Sequence, residues 1–272
     1  AEEITGGGRP GQLPVPTSRD EVHRLAVTLN GMLDRLESAR VRQRAFVADA
    51  AHELRSPLAN IRTQLEVAQR LGDRTDWPAV ASDLLADTHR LNRLVDDLLL
   101  LARLDDGTPR SVATREPVEL GDLLADVTGR YPSPPVRLDP PERPLWTYAD
   151  PDAVARVVAN LLDNAVRHAR STVQVAAEAG ERAGTPYHVV TVTDDGPGIP
   201  TGDRERVFDR FTRLDDARAR DAGGAGLGLA IVRELVRRCG GTVELSDAEP
   251  GLRAAVLFPV TAAPGGQRPP GR

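Results

Sequence analysis

One histidine, His52, has sequence neighbours that suit it to a chemical reaction. His52 is followed at once by Glu53, and Pro57 comes five residues later, within the stretch FVADAAHELRSP. Apolar residues around it recur at helical spacing, which predicts that His52 lies in a long amphipathic helix bent by Pro57. A neutral imidazole can act as a nucleophile, and a neighbouring carboxylate can take its proton. A lone histidine on a helix is also a common surface residue, so this stretch alone leaves both alternatives open.

A second polar group lies on the helix predicted over residues 150–169. Asn160, Asn164, Arg167 and His168 share one strip of that helix, opposite an apolar face. Asparagine is unfavourable inside a helix because its amide competes for backbone hydrogen bonds. Amide oxygens can ligate Mg²⁺ and an arginine can hold phosphate, so the strip is a candidate nucleotide site. A solvated helix face is the alternative.

Two glycine-rich stretches follow this helix. In TVTDDGPGIP, Asp194 ends a β-rich run and precedes Gly196 and Gly198. A carboxylate there can accept a hydrogen bond from an exocyclic amine such as that of adenine, although a simple Asp-Gly turn is the alternative. In GGAGLGLAIV, the residues that precede and open a predicted helix are Gly224, Gly226, Leu227, Gly228 and Leu229. Exposed amides at a helix N-terminus bind phosphate, and a Rossmann interpretation fails because the motif follows a long loop rather than a strand.

The stretch VFDRFTRLD lies between these two glycine motifs. Phe208 and Phe211 are three residues apart and can anchor the mobile loop predicted here over a bound base. Arg210 and Arg213 can reach phosphates. The loop would run over residues 196–225, which are rich in Gly, Asp and Arg.

His52 is predicted to lie on the first of two long helices. The apolar spacing predicts one helix from about Asp20 to about Leu71 and a second over 77–105, joined by a turn. Asn30 interrupts the apolar seam of the first helix, as polar residues that fix coiled-coil register do. A helical hairpin cannot bury both apolar faces by itself. We therefore expect a homodimer with a four-helix bundle; packing of the hairpin on the chain's own third domain is the alternative.

The rest of the chain has a mixed α/β pattern. Residues 105–117 read as a linker, and residues after Val260 as a disordered tail. A short helix is predicted over 120–127, with further helices over 150–169 and 225–238. Strands are predicted at Val136–Leu138, Trp146–Ala149, Val173–Ala177, His188–Asp194, Thr242–Leu245 and Leu252–Val260. This order predicts a mixed sheet with helices on one face that closes with a hairpin.

Composition limits the functions that are possible. The net charge of −5 argues against nucleic-acid binding, and the single cysteine, Cys239, excludes an intrachain disulfide and a Cys-rich metal site. All 35 basic residues are arginine. A Walker phosphate loop and a eukaryotic-type protein kinase both need a lysine, so backbone amides, arginines and a metal must hold any nucleotide phosphates.

Taken together, in their order along the chain, these motifs resemble those of sensor histidine kinases. AHELRSPL is similar to their H box, and the later stretches are similar to their N, G1, F and G2 boxes, which belong to an ATPase domain of the Bergerat fold. DEVHRLAVTLNGMLDRLE, after LPVP, resembles the second helix of a HAMP linker. The resemblance implies a partial HAMP linker over 1–45, a dimerisation and phosphotransfer hairpin over 46–107, an ATP-binding α/β sandwich over 108–260, and a tail over 261–272.

The resemblance also implies roles for particular residues. His52 would take the γ-phosphoryl group of ATP, with Glu53 as its acid/base partner, and Asn160 and Asn164 would hold Mg²⁺. Asp194 would read adenine. The remaining cofactor-binding residues implied are Arg167, His168, Gly196, Gly198, Phe208, Arg210, Phe211, Arg213, Gly224, Gly226, Leu227, Gly228 and Leu229. Ser56 stands where the family often has threonine or asparagine, which orients a water for phosphatase activity.

The resemblance further implies a homodimer that passes the phosphoryl group to an aspartate of a response regulator. It also implies the cytoplasmic part of a bacterial membrane sensor, with the natural protein continuing N-terminally into a membrane segment. Other classes remain as alternatives: a non-catalytic HAMP-type scaffold, a mechanical ATPase of the same fold, and a serine-directed anti-sigma kinase. The last two lack an H-box hairpin.

Overall fold

The computed structural model describes Leu13 and residues 21–105, 115–132, 134–182, 184–214 and 224–260, with the side chain of Arg42 excepted. The chain divides into two compact units, Ala1–Thr88 and His89–Arg272. The tail predicted after Val260 lies outside the described residues.

Two long helices account for most of the first unit; the first helix lies wholly within it, and the second crosses its boundary at Thr88. Helix α1 spans Glu21–Leu71 and runs through Pro57, a 3₁₀ turn covers Gly72–Arg74, and helix α2 spans Trp77–Asp105. The Thr75 hydroxyl donates to the Ala68 carbonyl at 2.7 Å and closes the turn. The Asn60 amide donates to Asp87 at 2.6 Å, as antiparallel helices require. Both helices predicted from apolar spacing are confirmed.

Asn30 has a structural partner. Its amide oxygen accepts from the Leu13 backbone N–H at 2.7 Å, and its amide nitrogen donates to the Leu13 carbonyl at 2.9 Å. The Asn30 side chain therefore bonds both backbone groups of Leu13, as a neighbouring strand would. Besides the register role predicted for it, this asparagine holds Leu13 against the helix.

The second unit contains a mixed sheet. Strand β1 (Glu116–Glu119) pairs antiparallel with β3 (Trp146–Ala149) as a separate ribbon. The five-stranded sheet has the order β2-β4-β5-β7-β6, in which only β2 and β4 are parallel. The bounds are Val136–Asp139 for β2, Val173–Arg182 for β4, Thr185–Asp194 for β5, Thr242–Asp247 for β6 and Leu252–Pro259 for β7.

Three helices cover one face of this sheet: α3 (Leu120–Thr128), α4 (Pro151–His168) and α5 (Gly228–Arg238). Buried and exposed side chains alternate at the start of β4, from Val173 to Glu178, which is the pattern of a sheet with one covered face. The buried apolar residues of this unit are aliphatic apart from Phe208 and Phe258, and the most buried include Leu120, Leu124, Val154, Val157, Leu162, Ile231 and Val256. The predicted α/β architecture is confirmed.

Several predicted boundaries were wrong. The linker predicted over 105–117 reaches into β1, whose short run of Glu-Pro-Val-Glu has no clear alternation. Strands β4 and β5 form a long hairpin that extends well beyond the predicted segments, because pairing between them continues through polar residues. The helix predicted from Ala225 begins at Gly228. Among the described residues, no helix is both long enough and apolar enough to span a membrane.

His188 is buried on β5, and its Nδ1 atom has no hydrogen-bond partner within the described structure. Burial lowers its pKa, opposed by a hydrogen bond to the Trp146 backbone; nearby Arg143 also lowers the pKa and Glu119 raises it. The unfolded chain therefore binds a proton at His188 more readily than the folded chain does. The contribution of neutral His188 to the free energy of unfolding is present above the unfolded pKa, about 6.5, and is lost as the pH falls. We expect the free energy of unfolding to fall between pH 7 and pH 5, measured by urea titration.

His188→Gln is the control for that measurement. This variant removes the titrating group, so its unfolding free energy should depend less on pH across the same range. Equal pH slopes for the two proteins would show that His188 does not carry the effect.

Candidate active site

The polar strip of α4 is positioned by a strong helix start and an apolar opposite face. Asp150 caps the helix by accepting from the backbone N–H groups of Asp152 at 3.0 Å and Ala153 at 3.4 Å, and Pro151 occupies the first turn. The buried side chains of this helix are Ala153, Val154, Val157, Val158, Leu161, Leu162 and Ala165. They fix the helix on the sheet and leave Asn160 and Asn164 half-buried at its other side.

The Asn160 side chain has a defined orientation. Its amide nitrogen donates to the Arg156 carbonyl at 2.9 Å, so its oxygen Oδ1 is turned the other way. A Cβ atom at Gly228 would lie 3.1 Å from that oxygen. An amide oxygen is therefore presented at the first residue of α5, where the backbone N–H groups of a helix start are also found.

The glycine loop before α5 lies against the same strip. A Cβ at Gly224 would lie 2.8 Å from Nη1 of Arg167, so only glycine fits beside this guanidinium without a shift. Gly226 has a φ of +71°, and its carbonyl accepts from the Phe211 N–H at 2.9 Å. Leu227 is buried and Leu229 is half-buried. The structure thus places Asn160 and Arg167 of α4 beside the predicted glycines of this loop.

Asp194 lies at the end of β5 and is 5% exposed. Burial raises its pKa, opposed by hydrogen bonds from the backbone N–H groups of Gly196, at 2.8 Å, and Leu252. A Cβ at Gly196 would lie 2.4 Å from the His168 carbonyl, so this loop packs directly on the last residue of α4. Gly198 has a φ of +74° and approaches Gly251. His168 itself is exposed.

The segment with the two phenylalanines is anchored on α5. Phe208 is 4% exposed, and Arg233 lies over its ring at 5.4 Å while donating to the Phe208 carbonyl. Phe211 is half-buried with a φ of +60°, which is uncommon for a residue with a side chain. These contacts hold Phe208 on α5, whereas the anchoring of the loop over a bound base stays a prediction; Arg213 lies half-buried shortly after Phe211.

Arg210 contacts a carboxylate on α2. Its guanidinium makes two hydrogen bonds with Asp105, at 2.6 and 2.7 Å. The C-terminal part of α2 is held further by the ion pair between Asp97 and Arg156 at 2.6 Å and by a hydrogen bond from Arg238 to the Leu104 carbonyl. The phosphate contact predicted for Arg210 stays a prediction, and it requires this arginine to exchange Asp105 for the nucleotide.

His52, Glu53 and Ser56 belong to the first unit. All three lie on α1 within just over one turn; His52 and Ser56 are exposed and Glu53 is half-buried. An exposed imidazole on a rigid helix is accessible to a reaction partner that arrives from outside the helix. Within the described part of the chain, no group of three or more His, Cys, Asp or Glu residues is arranged to hold a metal ion. Amide oxygens and nucleotide phosphates are oxygen ligands that suit Mg²⁺.

Two residues at this site were missed in the sequence. Asp195 accepts hydrogen bonds from the chain that follows α4, and Gly251 approaches the Asp194 backbone so closely that a Cβ would lie 1.7 Å from its oxygen. Asp195 belongs to the quoted motif, so the motif itself was a signal. Gly251 follows Pro250 in an ordinary turn composition, and only the tertiary contact reveals its role.

Comparison with known proteins identifies both regions. Residues 42–107, which include His52, match the family model described as "His Kinase A (phospho-acceptor) domain". Residues 149–262 match the model described as "Histidine kinase-, DNA gyrase B-, and HSP90-like ATPase". The second match contains α4, Asp194 and the glycine loop before α5.

Similar proteins include the probable sensor histidine kinase TcrY of Mycobacterium tuberculosis, 41% identical over 266 residues, with 92% of this chain and 55% of TcrY covered. The histidine-protein kinase/phosphatase MprB of Mycolicibacterium paratuberculosis is 36% identical over 269 residues, with 94% and 50% covered. The crystal structure of full-length ShkA in complex with AMPPNP is 25% identical, with a TM-score of 0.56, and 81% of this chain and 47% of ShkA are covered.

The chain spans about half the length of the curated relatives that it matches. Its two matched regions occur in the order phospho-acceptor domain and then ATPase domain, on the two structural parts that carry His52 and the glycine loop. The chain belongs to the sensor histidine kinase family.

Proposed function

We propose that this chain uses ATP to phosphorylate His52 and then passes the phosphoryl group to an aspartate of a response regulator. The observation that carries the proposal is the assembly around α4. Asn160 and Arg167 lie against the glycine loop at the start of α5, and the buried Asp194 of β5 is bonded to Gly196, which packs on the last residue of α4. This arrangement offers amide oxygens, a guanidinium and helix-start N–H groups for phosphates, and a carboxylate for a base.

In this mechanism, Asp194 accepts a hydrogen bond from the exocyclic amine of adenine, and Arg167 with the N–H groups at Gly228 binds phosphate oxygens. Asn160 and Asn164 would hold Mg²⁺, which fits the outward-turned Oδ1 of Asn160 and supplies charge neutralisation on the phosphates. A neutral ring nitrogen of His52 attacks the γ-phosphorus, and the bond to the β–γ bridging oxygen breaks. Glu53 takes the imidazole proton, and ADP leaves.

The chemical stability of the label tests this proposal. The chain is incubated with γ-labelled ATP and Mg²⁺, and the labelled protein is then treated with acid or with base. We expect the label to be lost in acid and kept in base, because a phosphorus–nitrogen bond to imidazole hydrolyses when the ring is protonated. A label that survives acid would place the phosphate on a hydroxyl, and the proposed reaction would be wrong.

The proposed role of Arg210 gives a second measurement. Because this arginine is held by Asp105, Asp105→Asn should make it more available to phosphate. We expect the variant to bind ATP about 2- to 5-fold more tightly, which corresponds to an ion pair worth up to about 1 kcal/mol. Calorimetric titration measures the affinity, and Asp96→Asn, an exposed carboxylate on the same helix, is the matched control. Unchanged affinity in Asp105→Asn would separate Arg210 from the phosphates.

We also propose that the chain acts as a homodimer. Along the helices of the first unit, Leu58, Leu65, Trp77 and Leu85 are large apolar residues that are 52%, 44%, 53% and 60% exposed. Leu58, Leu65 and Trp77 line one shallow groove together with Ile61. A second hairpin would cover these side chains in a four-helix bundle.

Leu65→Glu should therefore shift the chain toward monomer in light scattering, whereas Arg62→Glu on the same groove should shift it less.

Phosphatase activity toward the regulator is part of the proposal. Ser56 lies one turn after His52 and is exposed, so its hydroxyl can orient a water molecule beside the phosphoacceptor position. The relative MprB is named a histidine-protein kinase/phosphatase, which supports phosphatase activity as part of the proposal. We expect Ser56→Ala to slow dephosphorylation of a phosphorylated regulator while autophosphorylation persists; equal dephosphorylation rates would remove Ser56 from this role. We also propose that the residues before 46 form part of a HAMP linker and that the whole protein is anchored in a membrane.

A further inference from the structure

Asp195 makes a dense set of hydrogen bonds beside the nucleotide site. Its Oδ1 accepts from the backbone N–H groups of Arg170 at 2.7 Å and Ser171 at 3.0 Å. Its Oδ2 accepts from the Ser171 N–H at 3.1 Å, from the Ser171 hydroxyl, and from the Thr172 N–H at 3.3 Å. Hydrogen bonds to an ionised acceptor are stronger than neutral ones, and these bonds hold the pKa of Asp195 well below its usual range.

These bonds join two parts of the chain that the proposed function assigns to different ends of a nucleotide, the base and the phosphates. The accepting carboxylate follows directly after Asp194, which is assigned to the base. The donating segment follows directly after Arg167 and His168, at the end of the helix assigned to the metal and phosphates. Gly196 closes the same junction from the other side, because its backbone packs on the His168 carbonyl without room for a Cβ.

We infer that Asp195 is a positioning residue that holds the base-reading Asp194 in register with the phosphate-binding end of α4. This inference rests on the proposed function, which assigns the two ends of the site. A nucleotide gains affinity from both ends at once only if their separation is fixed before it binds. Asp195 fixes that separation through bonds to three consecutive backbone N–H groups. Asp195 itself contacts no part of the nucleotide in this assignment.

The location of Asp195 separates this role from general stabilisation. Its carboxylate is on the surface side of the junction and is only half-buried, unlike Asp194. Removing it deletes no apolar side chain from the core between α4 and the sheet, which is formed by residues such as Val158, Leu162 and Val192. The expected consequence is a looser junction at the nucleotide site within a folded domain.

The test compares a ligand that spans both ends with one that occupies a single end. Affinities for Mg²⁺-AMPPNP and for adenosine are measured by calorimetry for the whole chain, for Asp195→Ala and for Asp195→Asn. We expect Asp195→Ala to weaken AMPPNP binding about 10-fold or more and adenosine binding by about 2-fold or less. Asp195→Asn keeps one oxygen that can accept from Arg170 and Ser171, so its AMPPNP affinity should fall between the other two.

Two further variants keep the result interpretable. Ser171→Ala removes one hydroxyl donor and should produce a smaller loss in the same direction. Asp139→Ala removes an exposed carboxylate that accepts from Gln174 elsewhere on the sheet, and it should leave both affinities unchanged. If Asp195→Ala does not fold, as judged by thermal unfolding, Asp195→Asn and Ser171→Ala carry the comparison.

Equal fold-losses for AMPPNP and adenosine would overturn the positioning role, because a merely structural defect lowers the amount of competent protein for both ligands alike. No loss for AMPPNP in any of these variants would also overturn it. Failure of the unaltered chain to bind AMPPNP would instead contradict the proposed function. The two ideas therefore fail on different measurements.

Discussion

His52→Ala should lose autophosphorylation by at least roughly 10³-fold, because no other atom at that position can accept the phosphoryl group. His52 is an exposed residue within the long helix α1, and alanine is the residue most favourable to a helix. The substitution should therefore leave α1 intact. Label incorporation from γ-labelled ATP measures the effect, and thermal unfolding confirms that the variant is folded.

A matched histidine and a binding measurement complete this prediction. His89→Ala changes another exposed histidine on a long helix, and it should retain labelling. His52→Ala should still bind AMPPNP with ordinary affinity, because the residues assigned to the nucleotide are all on the second unit. Incorporation that persists in His52→Ala would move the phosphoacceptor to another residue and contradict the mechanism.

Gly251→Ala should be the most damaging single change near the nucleotide site. Gly251 has a φ of +111°, which a side chain rarely permits, and an added Cβ would lie 1.7 Å from the Asp194 carbonyl oxygen. The clash involves backbone atoms, so no rotamer change relieves it. We expect a loss of about 2–6 kcal/mol of unfolding free energy, the sum of backbone strain and overpacking, and loss of AMPPNP binding because β5 must move at Asp194.

Gly202→Ala is the control for this substitution, since no atom lies within 4 Å of a Cβ added there. It should change stability by less than about 1 kcal/mol, and a gain is possible because alanine restricts the unfolded chain. Urea unfolding of both variants gives the comparison. A Gly251→Ala protein as stable as Gly202→Ala, with nucleotide binding intact, would show that the contact between Gly251 and Asp194 is not essential.

The parts that were predicted correctly are those with a strong local signal. Helix α1 was expected from about Asp20 to about Leu71 and spans Glu21–Leu71, because its apolar residues repeat at helical spacing over many turns. The glycines before α5 and the asparagines of α4 were selected because each residue type is unusual in its local setting. The structure brings Asn160 and Gly228 together.

The parts that were missed depend on contacts between distant residues. Strand β1 forms because Glu116–Glu119 pairs with β3, and nothing in its own four residues requires that pairing. The long β4–β5 hairpin extends through polar residues that satisfy one another across the strands. Arg210 was expected at a phosphate from its position in a motif, and its carboxylate partner on α2 is 105 residues away in the chain.

The sequence by itself therefore determined the family, the two long helices, the α/β order and the residues able to do chemistry, since helical periodicity and residue type are local properties. Only the tertiary structure decided how these residues are held: Asp195 bonded to the segment that follows α4, Gly251 against Asp194, and Arg210 on Asp105. Each of these is a close approach between segments far apart in the chain. Such contacts depend on how the sheet and helices pack, and no spacing within a single segment encodes them.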